Sequence, residues 1–397
     1  MNTQQQYDAY IKVADWLAER DLPVAITLSE TLEPSGGPES IIFPPTYARK
    51  GGDHPYAISS LRTDLSPQAA QAAGVIANLC DLDSVGSQAN RMEPAFACPP
   101  LNSLVPQIFI KAGDLAVNLL QVGHRIADGA VRFSALAEEA TKAMSALAHQ
   151  RSAAELARLA PTSLVFGFWN SREKDDPKLS IKFPRILSSI IRATNVAVLK
   201  RSAQFNPAFN PTQLGFTDEA AAPAAEQDEK DPLSQLGLRA APAVDTHGGV
   251  RVFGDIVRKT EINLVVVRSL AVTGDKGLDE EATLKLRRYL LGLSLVAGRV
   301  QTAYNLRQGC LLVAKADCPA EARLVYPDGR REPFAWDFAA AREFATQAAK
   351  DFGVFAEKPT PKEHDLDPEK VKEALKAKAE DKEQKKRAKK AAKSAPA

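Results

Sequence analysis

The chain of 397 residues has little from which to build a disulfide framework or a zinc centre. Its four cysteines, Cys80, Cys98, Cys310 and Cys318, form no CxxC pair and have no close histidine in sequence, so no structural metal is expected. No uninterrupted apolar run approaches the length needed to cross a bilayer. Asp8, Asp15 and Glu19 stand where a signal peptide would need an apolar core. A reduced, cytoplasmic protein away from membranes is the expectation. An excess of one charge is missing too, with 51 Lys and Arg against 49 Asp and Glu. The small basic surplus lies from Glu357 onward, 13 basic against 9 acidic residues, so any nucleic-acid site in the body has to be a local patch. No Walker loop, no GxGxxG after a strand, no HExxH and no GxSxG is present. The acidic residues form no two-metal cluster. No catalytic set, metal or cofactor is therefore expected.

What is present alternates irregularly between helix and strand patterns, which favours an α+β domain with inserted lobes over a doubly wound sheet. Apolar spacing predicts a helix over residues 3–20 and a strand over 24–29. Asp83 or Ser84 is a cap for a short helix ending at Pro94, with Gln88 and Arg91 on one face. Internal hydrogen bonding is the usual role for such a pair; RNA contact is the minority one. Residues 115–133 read as a helix on which His124 and Asp128 meet, and the absence of a nucleophile nearby favours a structural role. Ser152 to Glu155 is a capping box opening a helix that Pro161 ends. Residues 163–170 read as a buried strand. Asp279-Glu280-Glu281 opens the strongest helix, with Leu286, Tyr289, Leu290, Leu293 and Val296 as its buried stripe. Residues 310–314 and 322–326 read as paired strands, and Asp337 as the cap of a last helix. Body and tail divide at 356/357. An acidic, alanine- and proline-containing insertion at 217–235 reads as flexible, and 357–397 as a lysine-rich, mostly disordered tail.

Three basic stretches stand out. In the first, two prolines forbid a helix and Tyr47 lies beside Arg49 and Lys50. In the second, Pro184 suits a first helical turn, and Ile186, Leu187, Ile190 and Ile191 give that helix an apolar face. Arg185 and Arg192 sit about two turns apart on it. A strand over 196–204 then carries Lys200 and Arg201, with Phe205 and Phe209 close by, a mixture suited to gripping and stacking RNA. The third, 237–270, places His247, Gly248 and Gly249 before Arg251. A turn at Gly254-Asp255, the cations Arg258 and Lys259, and a strand over 261–268 follow. Glycines free of a Cβ allow a close backbone approach to a polyanion. The alternative there is a hairpin with solvated charges.

The segments DSVGSQANRMEP, HRIAD, PTSLVFGFWNS, KFPRI with KRSAQFNP, APAVDTHGGVRVFGDIVRKTEINL and LRRYLLGLSLVAGR occur in order. Together they resemble the type I-U (I-G) CRISPR-associated backbone protein of the RAMP superfamily. The resemblance covers about residues 32–313 and excludes the acidic insertion and the tail. It implies a ferredoxin-like (RRM-type) palm with inserted finger and thumb elements. It also implies copies polymerising head to tail along a CRISPR RNA in a Cascade complex, presenting bases to a target DNA strand. Other Cascade subunits would cap the ends and a separate helicase-nuclease would cut. The residues expected to contact RNA are Arg49, Lys50, Arg91, Arg185, Lys200, Arg201, His247, Gly248, Gly249, Arg251, Arg258 and Lys259. Two rivals are a RAMP-type endoribonuclease using Asp245 or Asp255, and a small-molecule enzyme cradling phosphate at Gly248-Gly249.

Overall fold

The computed structural model describes residues 3–15, 22–47, 55–173, 176–209, 212–215, 232–238 and 241–380. In chain order the strands are β1 (Ala25–Pro34), β2 (Ile58–Ser60), β3 (Asn78–Asp83), β4 (Ile108–Ala112), β5 (Leu115–Asn118), β6 (Phe168–Trp169), β7 (Lys182–Phe183), β8 (Leu187–Thr194) and β9 (Val196–Phe205). They continue with β10 (Ala241–Val252), β11 (Ile256–Asn263), β12 (Thr273–Gly274), β13 (Gly277–Leu278), β14 (Tyr304–Arg307), β15 (Cys310–Ala314), β16 (Glu321–Val325), β17 (Arg331–Pro333) and β18 (Lys362–Asp365).

The main sheet is antiparallel throughout, in the order β14-β15-β1-β11-β8-β3-β2. β1 is forked: Leu32 to Pro34 pair with β15, while Ala25 to Ser29 pair with β16, which in turn pairs with β17. β16 therefore lies on β1 and not on β15, contrary to the expected pairing of those two segments. Of the four central strands, β1 and β8 are separated in sequence by helix Val85–Met92, and β11 and β15 by helix Glu280–Arg299. Their spatial order is fourth, first, third, second.

The 20-residue helix Glu280–Arg299 forms where Asp279 caps its N-terminus, accepting a bond from the Ala282 N–H at 2.9 Å. It is buried along nearly its whole length and packs on helix Phe338–Phe352. Gly292 permits that closeness, since a Cβ there would stand 2.8 Å from Ala345 Cα. Helix Thr3–Asp15 covers both through Tyr10, whose hydroxyl donates to the Ala335 carbonyl at 3.1 Å.

Several expected elements change type. The segment holding Ile186 to Ile191 is strand β8 and not a helix, because alternate residues Leu187, Ser189, Ile191 and Ala193 face inward. Its apolar run satisfied both periods, and β-branched content decided for the strand. Residues Pro161–Phe166 are helical, with proline at the first turn starting that helix. The capping box is absent: Ala153 occupies the N-cap without a side-chain bond. Residues 115–133 break into β5 and short turns. Asp128 there accepts from the His124 and Ala130 backbone N–H groups, so the His124 ring takes no part.

The supposed tail begins with structure. β18 runs parallel to β4, from Lys362 opposite Ile108 to Asp365 opposite Lys111. The Leu366 N–H donates to the Lys111 carbonyl at 2.7 Å, the Ala135 N–H to that of Asp365 at 2.9 Å, and residues 368–380 continue as helix. Most of the acidic insertion, residues 216–231, lies outside the described residues, as do 381–397. Deleting 357–397 strips β4 of a strand partner and exposes apolar surface under Leu366. Thermal unfolding of the truncated chain is expected at a lower midpoint than that of the full chain.

Candidate nucleic-acid interface

β8 and β11 leave the sheet together and become a two-stranded hairpin, β9 with β10. The junction is tightly held. Asn195 sits at φ +52°, a conformation asparagine tolerates well among non-glycine residues. Its amide accepts from the Ala77 N–H at 2.8 Å and donates to Gln71 Oε1 and the Val75 carbonyl, both at 2.9 Å. Between β10 and β11, a Cβ at Gly254 would collide with Thr194 Oγ1. Near its root the hairpin buries Val196, Val250 and Val252; from Lys200 outward β9 is exposed.

Three of the expected contacts meet on this hairpin. His247 is paired across the strands with Lys200, and Thr246 with Arg201. His247, Lys200 and Arg201 are exposed, and the His247 ring stands edge-on to Tyr56 at 6.3 Å. Phe205 and Phe209, 53% and 63% exposed, lie farther out. The glycine pair does something other than expected. Gly248 and Gly249 are buried inside β10, where the strand pairing shifts register. A Cβ on Gly248 would stand 2.9 Å from the Leu199 carbonyl oxygen, and one on Gly249 would stand 2.7 Å from that of Ile42. Carbonyl oxygens and the crossing Ile41-Ile42 segment fill the space a phosphate would need. These glycines seat one strand on another.

Arg258 is likewise removed from any interface: it is fully buried. Its Nη1 donates to Glu30 Oε2 at 2.6 Å, the Gly298 carbonyl at 3.1 Å and the Tyr304 hydroxyl at 3.2 Å. Its Nε reaches Ser189 Oγ at 3.0 Å and Gln88 Oε1 at 3.1 Å. Glu30 also receives Arg299 Nη1 at 2.9 Å, and Gln88 donates to Asp83 Oδ2 at 2.7 Å. Arg91 joins the same network, donating to Asp83 at 3.0 Å and to the Asn305 and Leu306 carbonyls at 3.1 and 2.7 Å. Three of its five N–H donors thus fasten a helix to β14. Arg251 is bound to the Glu39 carboxylate and donates to the Glu39 carbonyl at 2.9 Å, tying β10 to the neighbouring loop. Lys259, one residue from Arg258, points the other way and is exposed on the open sheet face, beside Ser29 and Ile190 in register. Arg192 shares that face, paired with Asp81 at 2.7 Å. Arg185 is exposed at the far end of β8 from the hairpin. Arg49 and Lys50 lie outside the described residues. One groove holding Arg251 and Arg258 with Arg185, Lys200 and Arg201 is therefore not formed.

Sequence reasoning missed Glu30 and Ser189. The signal was there: Glu30 interrupts the inward alternation Ile26, Leu28, Leu32, as Arg258 and Thr260 interrupt Ile256 and Ile262. Among the described residues, no three His, Cys, Asp or Glu side chains gather as for a metal ion, and no helix is long and apolar enough to cross a membrane.

Residues 26–198 match the family model described as CRISPR-associated protein GSU0053 (Cas_GSU0053). The matched stretch runs from β1 to the root of the hairpin, through β3 and β8. It supports a CRISPR-associated nature and a part in CRISPR defence, carried by a mixed α+β fold. No curated protein matches the chain.

Replacing Arg258 with Met leaves Glu30, 12% exposed, short of a partner. Because Arg299 still faces Glu30, denaturant unfolding is expected to show a loss below the ~3–5 kcal/mol of a wholly unpaired buried charge, but well above the ~0.5 kcal/mol or less for Lys259→Met on the opposite face. A second buried pair, Glu93 with Arg125 at 2.7 Å, makes a pH prediction. Burial pushes the Glu93 carboxyl from 4.5 up to about 7, with the Arg125 charge and a Thr162 hydrogen bond opposing. The folded state is then the stronger proton binder. Its stability is fullest below about 4.5 and falls as pH rises through about 7. Melts across this window should show a shallower decline for Glu93→Gln than for the wild type.

Proposed function

We propose that the chain is a CRISPR-RNA-binding backbone subunit of a type I interference (Cascade) complex, of the I-U (I-G) kind, with a ferredoxin-like RAMP palm. The observation that carries this is the hairpin. A rigidly rooted ribbon lifts Lys200, Arg201 and His247 away from the sheet, with exposed phenylalanines beyond them. Cations on a projecting ribbon suit phosphates, which fix position without reading sequence, and the phenyl rings offer stacking surfaces. The family match over 26–198 and the fourth-first-third-second strand order support the palm. In this reading the hairpin serves as the thumb, and Lys259 on the open sheet face is a further guide contact.

Guide pairing would select the target DNA strand while the protein holds the RNA backbone. Copies would associate head to tail, a heterologous contact that yields a filament and not a closed dimer. Further Cascade subunits would bind its ends, and a helicase-nuclease would supply the cutting. The subunit itself has no catalytic role in this proposal. Of the two candidate aspartates, Asp245 lies within β10, and Asp255 sits exposed at the hairpin's root with its backbone N–H donated to Thr194 Oγ1 at 3.0 Å.

The test is RNA recovery from the purified chain expressed with a CRISPR array. Wild type should retain RNA of mixed guide sequence, with affinity falling steeply with salt. Lys200→Ala with Arg201→Ala should lose most of it and lower the salt slope by about 1.4, two phosphate contacts' worth on a single strand. Its stability should change by about 0.5 kcal/mol or less. Undiminished RNA in the double variant would remove the hairpin from the interface.

A further inference from the structure

A separate surface lies at the other end of β8, about 26 Å along the strand from the hairpin's root. There β6 and β7 form a short ribbon in which Trp169 pairs directly with Lys182 and Phe168 with Phe183. The two phenyl rings stack inward, 5.9 Å apart and 13° from parallel. Alternation therefore sends Trp169 and Lys182 outward. Trp169 is 55% exposed, and Lys182 Nζ stands 5.4 Å from its ring centre.

The ribbon is firmly held. The Asn170 N–H donates to the Ile181 carbonyl at 2.8 Å, and the buried Asn170 amide donates to the Leu179 carbonyl at 2.9 Å. Gly167, at φ +76°, lets the Arg185 stem close over it: a Cβ there would meet Arg185 Cγ at 2.9 Å.

Lys182 is the cation placed against the indole, and further cations lie nearby in the chain. Arg132 donates to Asn170 Oδ1 at 3.1 Å, and Arg172 lies near enough to act on it. Arg185 is exposed, and partial burial followed by the Arg125 charge lowers its pKa. Glu173 is the carboxylate that acts on Arg132. Among the described residues, no carboxylate pairs with Arg172, Lys182 or Arg185. Lys182, Arg172 and Arg185 are thus exposed without a carboxylate partner among the described residues, and the indole beside Lys182 is exposed with them. Both costs are relieved by a ligand that is anionic and offers a flat unpaired ring, and a duplex keeps its ring faces covered.

We infer that Trp169 stacks an unpaired base of a single-stranded nucleic acid whose neighbouring phosphates are held by Lys182, Arg172 and Arg185. This site shares no residue with the hairpin and stands without the guide-binding reading. The test compares binding of labelled oligo(dT), oligo(rU) and an abasic strand of equal length to the full chain, by fluorescence anisotropy. Wild type should favour the base-bearing strands about tenfold. Trp169→Ala should remove most of that preference, leaving only what the hairpin phenyl rings supply, and Trp169→Phe retain most of it, with unchanged thermal melts in both. Lys200→Ala with Arg201→Ala should lower total affinity and leave the preference intact, so a failure of the hairpin reading is scored separately. The relative affinity for dT and rU identifies which strand the site takes. An undiminished preference in Trp169→Ala overturns the site. So does a wild type that binds the abasic strand equally well, or a Trp169→Ala variant altered in sedimentation alone, which would make the patch a protein contact.

Discussion

The structure depends on one guanidinium held where no water reaches it. Along β1, β11 and β8 the inward-facing residues change character at the same level. Ile26, Leu28, Ile262 and Leu187 belong to one apolar core, and Leu32, Ile256 and Ile191 to another. Between them lies a belt of Glu30, Arg258, Thr260 and Ser189, closed from the helix side by Gln88 and the Gly298 carbonyl. A buried ion pair is a weak source of net stability, but each member makes its partner indispensable. The belt also fixes register. A slip of one residue between β1 and β11 would put Glu30 opposite Lys259 and face Arg258 to solvent.

That parity explains which basic residues were legible. The segment of β9, with its exposed Lys200 and Arg201, was recognised as a strand. So were the caps of the helices starting at Val85, Glu280 and Phe338, because a capping side chain acts within three residues of itself. The sides on which the cations point were not. The strand was expected over 261–268, whereas β11 occupies Ile256–Asn263 and helix follows. Leaving Arg258 and Lys259 ahead of that strand hid the alternation that buries one and exposes the other. The partners of Arg258 lie up to 228 residues away in sequence, at Glu30. Local pattern carries no information about such an approach.

The glycine pair shows the same limit from the backbone's side. Gly248-Gly249 does need freedom from a Cβ, as its sequence signals, but the close neighbours are the chain's own carbonyls at Leu199 and Ile42. A requirement for nearness says nothing of what comes near. In the segment after Gly167, Phe168 faces inward but Trp169 faces out, so an apolar run that reads as a buried strand carries an exposed ring.

Asn195 has a mechanical meaning beyond its hydrogen bonds. With its amide anchored on three sides and Gly254 wedged against Thr194, the ribbon of β9 and β10 behaves as a lever clamped at its fulcrum. In the proposed row of copies, levers so clamped would act as a comb, imposing one tooth spacing on a polymer regardless of that polymer's composition.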